Sequence, residues 1–315
     1  MAILHILNGD ATLTPFRNSG LPGEIVVNRS MMSEGHTIFT TDMDEFFKAR
    51  ADHAQQVYGI DRKTYLTQVV QEFTRLENVS KYEEVVLWFE FDLFCQINLL
   101  FTLFYLQQFR LPPRVSLVAP GPQYQPAGFR GLGMLTAGHF PGLFADRLVL
   151  QPQDLGLATE IWSAYCAVTP MRLEPFSGDR QNGQLYHIGP ALKAHLQRLP
   201  SVQNGLNRIE SFFLNLLLVS EYRWYDLYTQ FWDQLTIYGF GDFQLDVYLR
   251  RMISAGVVDE KGQQLSITGL GRDILNGEEN YLRYAARKGR YLGGIPLHDT
   301  PWRWDERTQS VVRVG

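Results

Sequence analysis

The sequence predicts an α/β protein: a Rossmann-like, mostly parallel sheet in an N-terminal domain, then a helical region and a winged-helix-like C-terminal module. Three observations carry this expectation. Strand-like runs at 2–7, 24–27 and 84–89 alternate with segments of helical spacing. The run Val85-Val86-Leu87-Trp88-Phe89 is continuously apolar, as in strands covered on both faces. The last third reads as three helices followed by strand, turn and strand. At 315 residues the length suggests about two domains. We divide the chain into an α/β domain at 1–125, a helical linker region at 126–200, the winged-helix-like module at 201–280 and a hairpin tail at 281–315.

Each element has its own signal. After the first strand, residues 12–17 suit a short helical turn, and Leu21-Pro22-Gly23 punctuates before the second. Residues 42–76 space Phe46, Phe47, His53 and Val57, then Tyr65, Val69, Val70 and Phe73, as two crossover helices would. A helix at 92–109 follows the third strand at once, and 115–118 reads as a fourth strand. Ala119-Pro120-Gly121-Pro122 and Pro126-Ala127-Gly128 mark a loop and a domain edge. Further helices are expected at 137–144, 154–168, 189–198, 207–219, 224–232 and 242–255. Val257-Val258, a turn at 259–263 and Leu265-Ser266-Ile267 form the wing, and 268–275 a closing helix. Residues 291–297 and 302–314 make a final hairpin across His298-Asp299-Thr300-Pro301.

Composition narrows the function. Hydrophobic residues make up 45% of the chain and aromatic residues 13%, ample for packed cores. A net charge of −4 lacks the basic footprint of a protein held on nucleic acid by phosphate neutralisation, and no run of Lys/Arg advertises a local patch. Cys95 and Cys166 sit among apolar and aromatic neighbours and read as buried thiols in a reducing compartment. The histidines fall into no HExxH or zinc-type spacing. There is neither a GxxxxGK[ST] loop nor a GxSxG elbow, and Gly128-Phe129-Arg130-Gly131-Leu132-Gly133 reads as a linker. Residues 1–7 read as a strand rather than a signal peptide. Glu90, Asp92, Gln96 and Asn98 interrupt the apolar stretch 85–106, so a cytoplasmic protein with no membrane span is expected.

If the first three strands are parallel, their polar ends line one carboxyl edge, where open α/β sheets bind ligands. Asn8-Gly9-Asp10 offers a tight turn flanked by an amide and a carboxylate; the plainer alternative makes Asp10 the cap of the next helix. Arg29, after the second strand, suits a phosphate or carboxylate, unless it neutralises Asp10 or Glu90; Glu34 follows nearby. Glu90 ends a wholly apolar strand, and Asp92 and Gln96 lie on one face of the next helix near its positive end. Such carboxylates could share a divalent metal, act as acid and base, or read hydroxyls, while Asp92 could equally be an ordinary N-cap. The expected catalytic residues are therefore Asp10, Glu90 and Asp92, with Asn8, Gly9, Arg29, Glu34 and Gln96 binding the ligand. In the winged-helix-like module, Arg250 and Arg251 are the arginines that would approach DNA, although Asp242, Asp246, Asp259 and Glu260 nearby favour a packing role. Trp302-Arg303-Trp304-Asp305 is either a stacking platform or an aromatic strap over the core.

His5-Ile6-Leu7-Asn8-Gly9-Asp10, Pro22-Gly23-Glu24, Glu34-Gly35 and the run from Val86 through Glu90-Phe91-Asp92 to Gln96 together resemble the bacterial family catalogued as domain of unknown function 1835, over the first 120 residues. Later pieces resemble its longer members: Pro200 to Leu206 with Arg208 and Glu210, residues 265–275, Tyr291-Leu292-Gly293-Gly294, and 302–305. The resemblance implies no defined activity. That family's usual signature has a His where this chain has Phe91, so an imidazole-based mechanism at that point is not carried over.

The expected function is binding of a small polar or phosphorylated ligand at the sheet edge, with metal-assisted hydrolysis or group transfer as the matching chemistry. The alternative is a non-enzymatic sensor or transcription-associated adaptor that touches DNA or protein through the winged-helix-like module.

Overall fold

The computed structural model describes residues 2–178 and 182–314. The first strands are β1 (Ile3–Asn8), β2 (Glu24–Asn28), β3 (Gly35–His36), β4 (Glu84–Trp88), β5 (Arg114–Val118) and β6 (Leu148–Val149). A five-stranded sheet has the order β2-β1-β4-β5-β6. Its first four strands are parallel and only β6 is antiparallel. The α/β class and the four parallel strands are those the sequence predicts. The edge strand β6 was not expected, because two residues carry no readable alternation.

Both faces of this sheet are covered, which explains its apolar runs. Leu4, Ile6, Val85 and Leu87 face one large core with the central helix Leu93–Leu106, while Ile3, Leu7, Val86 and Trp88 face a smaller one with Phe16, Leu132 and Phe140. The chain crosses from β2 to β4 through helix Met43–Tyr58, capped by Asp42 and ended by Gly59 at φ +69°, and then through a broken helical stretch from Arg62 to Lys81. β2 lies on one side of β1 and β4 on the other, so the carboxyl ends of β1 and β4 meet where the strand order reverses.

The last third holds helices Arg208–Val219, Trp224–Gln234 and Asp242–Ser254, with β7 (Tyr222–Arg223), β8 (Val258–Lys261) and β9 (Gln264–Ile267) in a sheet ordered β7-β9-β8. Helix Gly269–Leu275 follows. Then come β10 (Tyr291–Gly293), β11 (Ile295–Pro296), β12 (Trp302–Asp305) and β13 (Ser310–Arg313). The single final hairpin expected between 291–297 and 302–314 does not form. β10 instead pairs with β11 and, in parallel, with β3, while β12 pairs with β13. Gly293, at φ +59°, and Gly294 lie against the backbone of Tyr165 and Cys166, where side chains would collide, so the chain reverses there. Among the described residues no helix is long and apolar enough to cross a membrane.

The large core runs without a break from Leu4 to Val311, and Arg198 crosses it. Arg198 is 2% exposed. It pairs with Glu34, donates to the Ser33 carbonyl at 2.8 Å and to the Tyr248 hydroxyl at 3.2 Å, and lies 5.1 Å from the Phe240 ring centre. Removing one member of such a pair strands the other charge in the core, which costs about 3–5 kcal/mol. Arg198→Ala is therefore expected to lose that much in urea unfolding, and Arg198→Met combined with Glu34→Leu to recover most of it. A loss under about 1 kcal/mol for Arg198→Ala would contradict the assignment.

Candidate functional site

At the reversal between β1 and β4 the structure gathers four of the expected residues, Asn8, Glu90, Asp92 and Gln96, with Cys95 and Asn98 from the central helix. All are buried. Asp92 caps that helix, its Oδ1 accepting from the Cys95 N–H at 2.9 Å. Glu90 Oε2 accepts from the Cys95 thiol at 2.9 Å, and the Gln96 amide donates to the Glu90 carbonyl. Asn8 donates to Cys95 Sγ at 2.9 Å and accepts from Asn98 Nδ2 at 2.9 Å. Asn98 also donates to the Ser30 carbonyl at 2.8 Å and accepts from the Met32 N–H at 3.0 Å. The cluster thus binds β1, the loop after β2 and the central helix into one satisfied network.

Two loops close over it. Leu132, fully buried, donates its N–H to Glu90 Oε1 at 2.7 Å. Gly131 passes so close that a Cβ would lie 2.9 Å from that oxygen, and a Cβ on Gly239 (φ +62°) would fall on the Asp92 carboxylate. The glycine-rich stretch read as a linker is therefore the cover of the sheet edge. Burial, and then the Asp92 charge, push Glu90 up to about 7; burial likewise raises Asp92. Glu90, Asp92 and Cys95 offer three ligand atoms within 4.8 Å of one another. Four of those groups' atoms, Asp92 Oδ1, both Glu90 oxygens and Cys95 Sγ, already take N–H or S–H donors, so the arrangement suits protonated carboxyl groups better than a cation.

The other expected residues lie elsewhere. Asp10 opens a short turn at the surface, where Arg29 grips it with two bonds, Nε to Oδ2 at 2.8 Å and Nη2 to Oδ1 at 2.7 Å. Arg29 also lies 3.6 Å from Glu72, so its fork is neutralised. Gly9, at φ +87°, makes the turn between β1 and Asp10. Glu34 is inside the core with Arg198.

Around that pair lies a second cluster. A small cavity of about 30 Å³ is lined by Glu34, His53, Arg198, Tyr248, Arg251 and Arg290. Sharing Val57, Arg251, Gly289 and Arg290 with it, a groove of about 540 Å³ opens outward between helices Met43–Tyr58 and Asp242–Ser254 and the 281–290 segment. Among the described residues Arg251 makes no ion pair, and Arg290 meets Glu210 only at 3.9 Å. Burial, then the Arg290 charge, lower the Arg251 pKa, and burial raises that of Glu210. His53 is pushed down to about 3 by burial, Arg50 and Arg251, and is neutral. His53 Nε2, Arg290 Nε and the hydroxyl of Tyr281, which is 2% exposed, have no hydrogen-bond partner among the described residues.

Sequence reasoning passed over this cluster, because Glu34, His53, Arg198, Arg251 and Arg290 come from five separate segments. One local signal existed, contrary to the expectation that no Lys/Arg run marks a patch: residues 283–290 carry Arg283, Arg287, Lys288 and Arg290, a basic stretch within an acidic chain. No protein-family model matches the chain, and no curated protein matches it.

At the sheet edge, Glu90 and Asp92 hold protons in the folded state at pH values where the unfolded chain has released them. Their contribution to stability therefore falls as pH rises from the ordinary carboxylate range to about 7. Glu90→Gln keeps an acceptor for Leu132 and removes the titration. Its stability relative to wild type is expected to increase steadily between about pH 5 and pH 8 in urea unfolding, by roughly 1–3 kcal/mol in all. A difference that stays constant with pH would contradict the raised carboxylates.

Proposed function

We propose that the protein binds a small phosphate-bearing ligand in the groove lined by Arg251 and Arg290, and that the sheet edge is the scaffold beneath it. The observation that carries this reading is the placement of Arg251, half-buried and in no ion pair among the described residues, beside Arg290 at the groove. A guanidinium cannot shed its proton, and half-burying it beside a second cation, with only the more distant Glu34 charge to offset it, is costly. A phosphate would supply the missing charge and match the fork of the side chain. Arg290, with a free Nε, and the unpartnered Tyr281 hydroxyl add donors at the same place. Binding, rather than a named reaction, is what this arrangement supports, because Glu90 and Asp92 are closed off by Leu132 and Gly239.

The second reading, DNA contact, draws on the C-terminal elements. Three helices and the sheet β7-β9-β8 suit a winged-helix module, in which Asp242–Ser254 would be the helix offered to DNA. Its two arginines favour the first reading. Arg250 is held by Asp246 at 2.6 Å and lies over the Trp224 ring, and Arg251 lines the groove. The module then serves as a wall of the ligand site. The Rossmann-like character of the sheet is supported by its parallel order and by the reversal at β1 and β4. The free thiols of Cys95 and Cys166 suit a reducing cytoplasm. Membership of the domain of unknown function 1835 family is supported by the sequence motifs alone.

The test is thermal and chemical unfolding of wild type and Arg251→Met with inorganic pyrophosphate. Wild type should gain roughly 2.7 kcal/mol at a hundred times the dissociation constant. Without ligand, Arg251→Met should be as stable as wild type or more so, since it removes an unpaired charge, and pyrophosphate should no longer shift it. A shift that survives in the variant, or none in wild type, would sink the proposal.

A further inference from the structure

We infer that the ligand of the arginine groove is a nucleotide, its phosphates at Arg251 and Arg290 and its base against Tyr284. This deepens the proposed function and rests on it. The two connected spaces differ sharply in size. The inner one, about 30 Å³, holds a water or two, so a phosphate cannot pass inward. The outer groove, about 540 Å³, falls within the roughly 300–1,000 Å³ of ordinary small-molecule sites and exceeds what one phosphate fills.

The groove has two chemistries. At the inner end, Arg251 and Arg290 are the cations common to both spaces, and the buried Tyr281 hydroxyl beside them lacks a partner. The rest of the lining sets an apolar group, Val247, Ala255, Ala285 and Ala286, beside the polar Gln56 and Ser254 and the cation Arg250, and Tyr284 contributes an aromatic ring that is 40% exposed. Among the described residues Tyr284 stacks on no other ring, whereas the neighbouring modules pair their aromatics extensively. Lys288 adds a mobile charge at the rim for a second phosphate. A sugar phosphate would satisfy the arginines and leave the apolar wall and Tyr284 uncovered. A nucleotide fills both ends, because a planar base can stack on the phenol while its phosphates reach the guanidinium groups.

Isothermal titration of the full chain tests this with pyrophosphate, ribose 5-phosphate and nucleoside diphosphates as probes. Nucleoside diphosphates are expected to bind roughly tenfold to a hundredfold tighter than pyrophosphate. Tyr284→Ala, an exposed position whose loss leaves the core intact, should bring nucleotide affinity down to the pyrophosphate level. Lys288→Gln should weaken diphosphates more than a monophosphate. Equal affinity for pyrophosphate and nucleotides, or a Tyr284→Ala variant that binds nucleotides like wild type, overturns the nucleotide inference while the phosphate reading stands. No binding of any probe overturns both.

Discussion

The ion pair between Arg198 and Glu34 is the interaction on which the rest of the structure depends. It joins the loop after β2 to the turn that precedes helix Arg208–Val219, and through Tyr248 and Phe240 it reaches the C-terminal helices. A guanidinium 2% exposed is tolerable only because its donors are matched by a carboxylate, a carbonyl and a hydroxyl. The pair specifies one docking of the two halves, since a shift of either would leave two charges in the core without partners.

Once Arg198 is matched by Glu34, the neighbourhood has a surplus of positive charge. Arg251 and Arg290 approach the same cavity, Arg50 is spent on the carbonyls of His36 and Met31, and Glu210 is drawn toward its neutral form by burial. Such a surplus at the foot of an open groove costs stability, because charges of one sign are drawn out of water together. Asp10 and Arg29, by contrast, meet at the surface in a bidentate pair whose charges already neutralise each other.

The carboxyl edge of the sheet, where open α/β folds ordinarily bind, is here filled from within. Leu132 and Gly239 close over Glu90 and Asp92, and the glycines at 131 and 239 are what let the loops come so close. The polar residues that end β1 and β4 are retained as a buried network that aligns the central helix with two strands.

The chain itself determined its parallel strands, its central helix and the helical crossover, because each rests on local signals: continuous apolar runs, the Asp92 cap, charges at helical intervals. It also brought Asn8, Glu90, Asp92 and Gln96 to one edge, since strand ends and a helix cap are placed by those same local rules. Tertiary structure decided what these residues do. Whether an edge is open depends on loops 40 and 150 residues further along, and no short-range pattern encodes their approach. The pairing of β10 with β3, and the meeting of Glu34 with Arg198 and of Arg251 with Arg290, likewise join segments far apart in sequence. Charge surplus is a property of a place rather than of a segment, so only the folded chain could reveal that Arg251, on a helix with ordinary spacing, stands beside Arg290 in no close ion pair among the described residues.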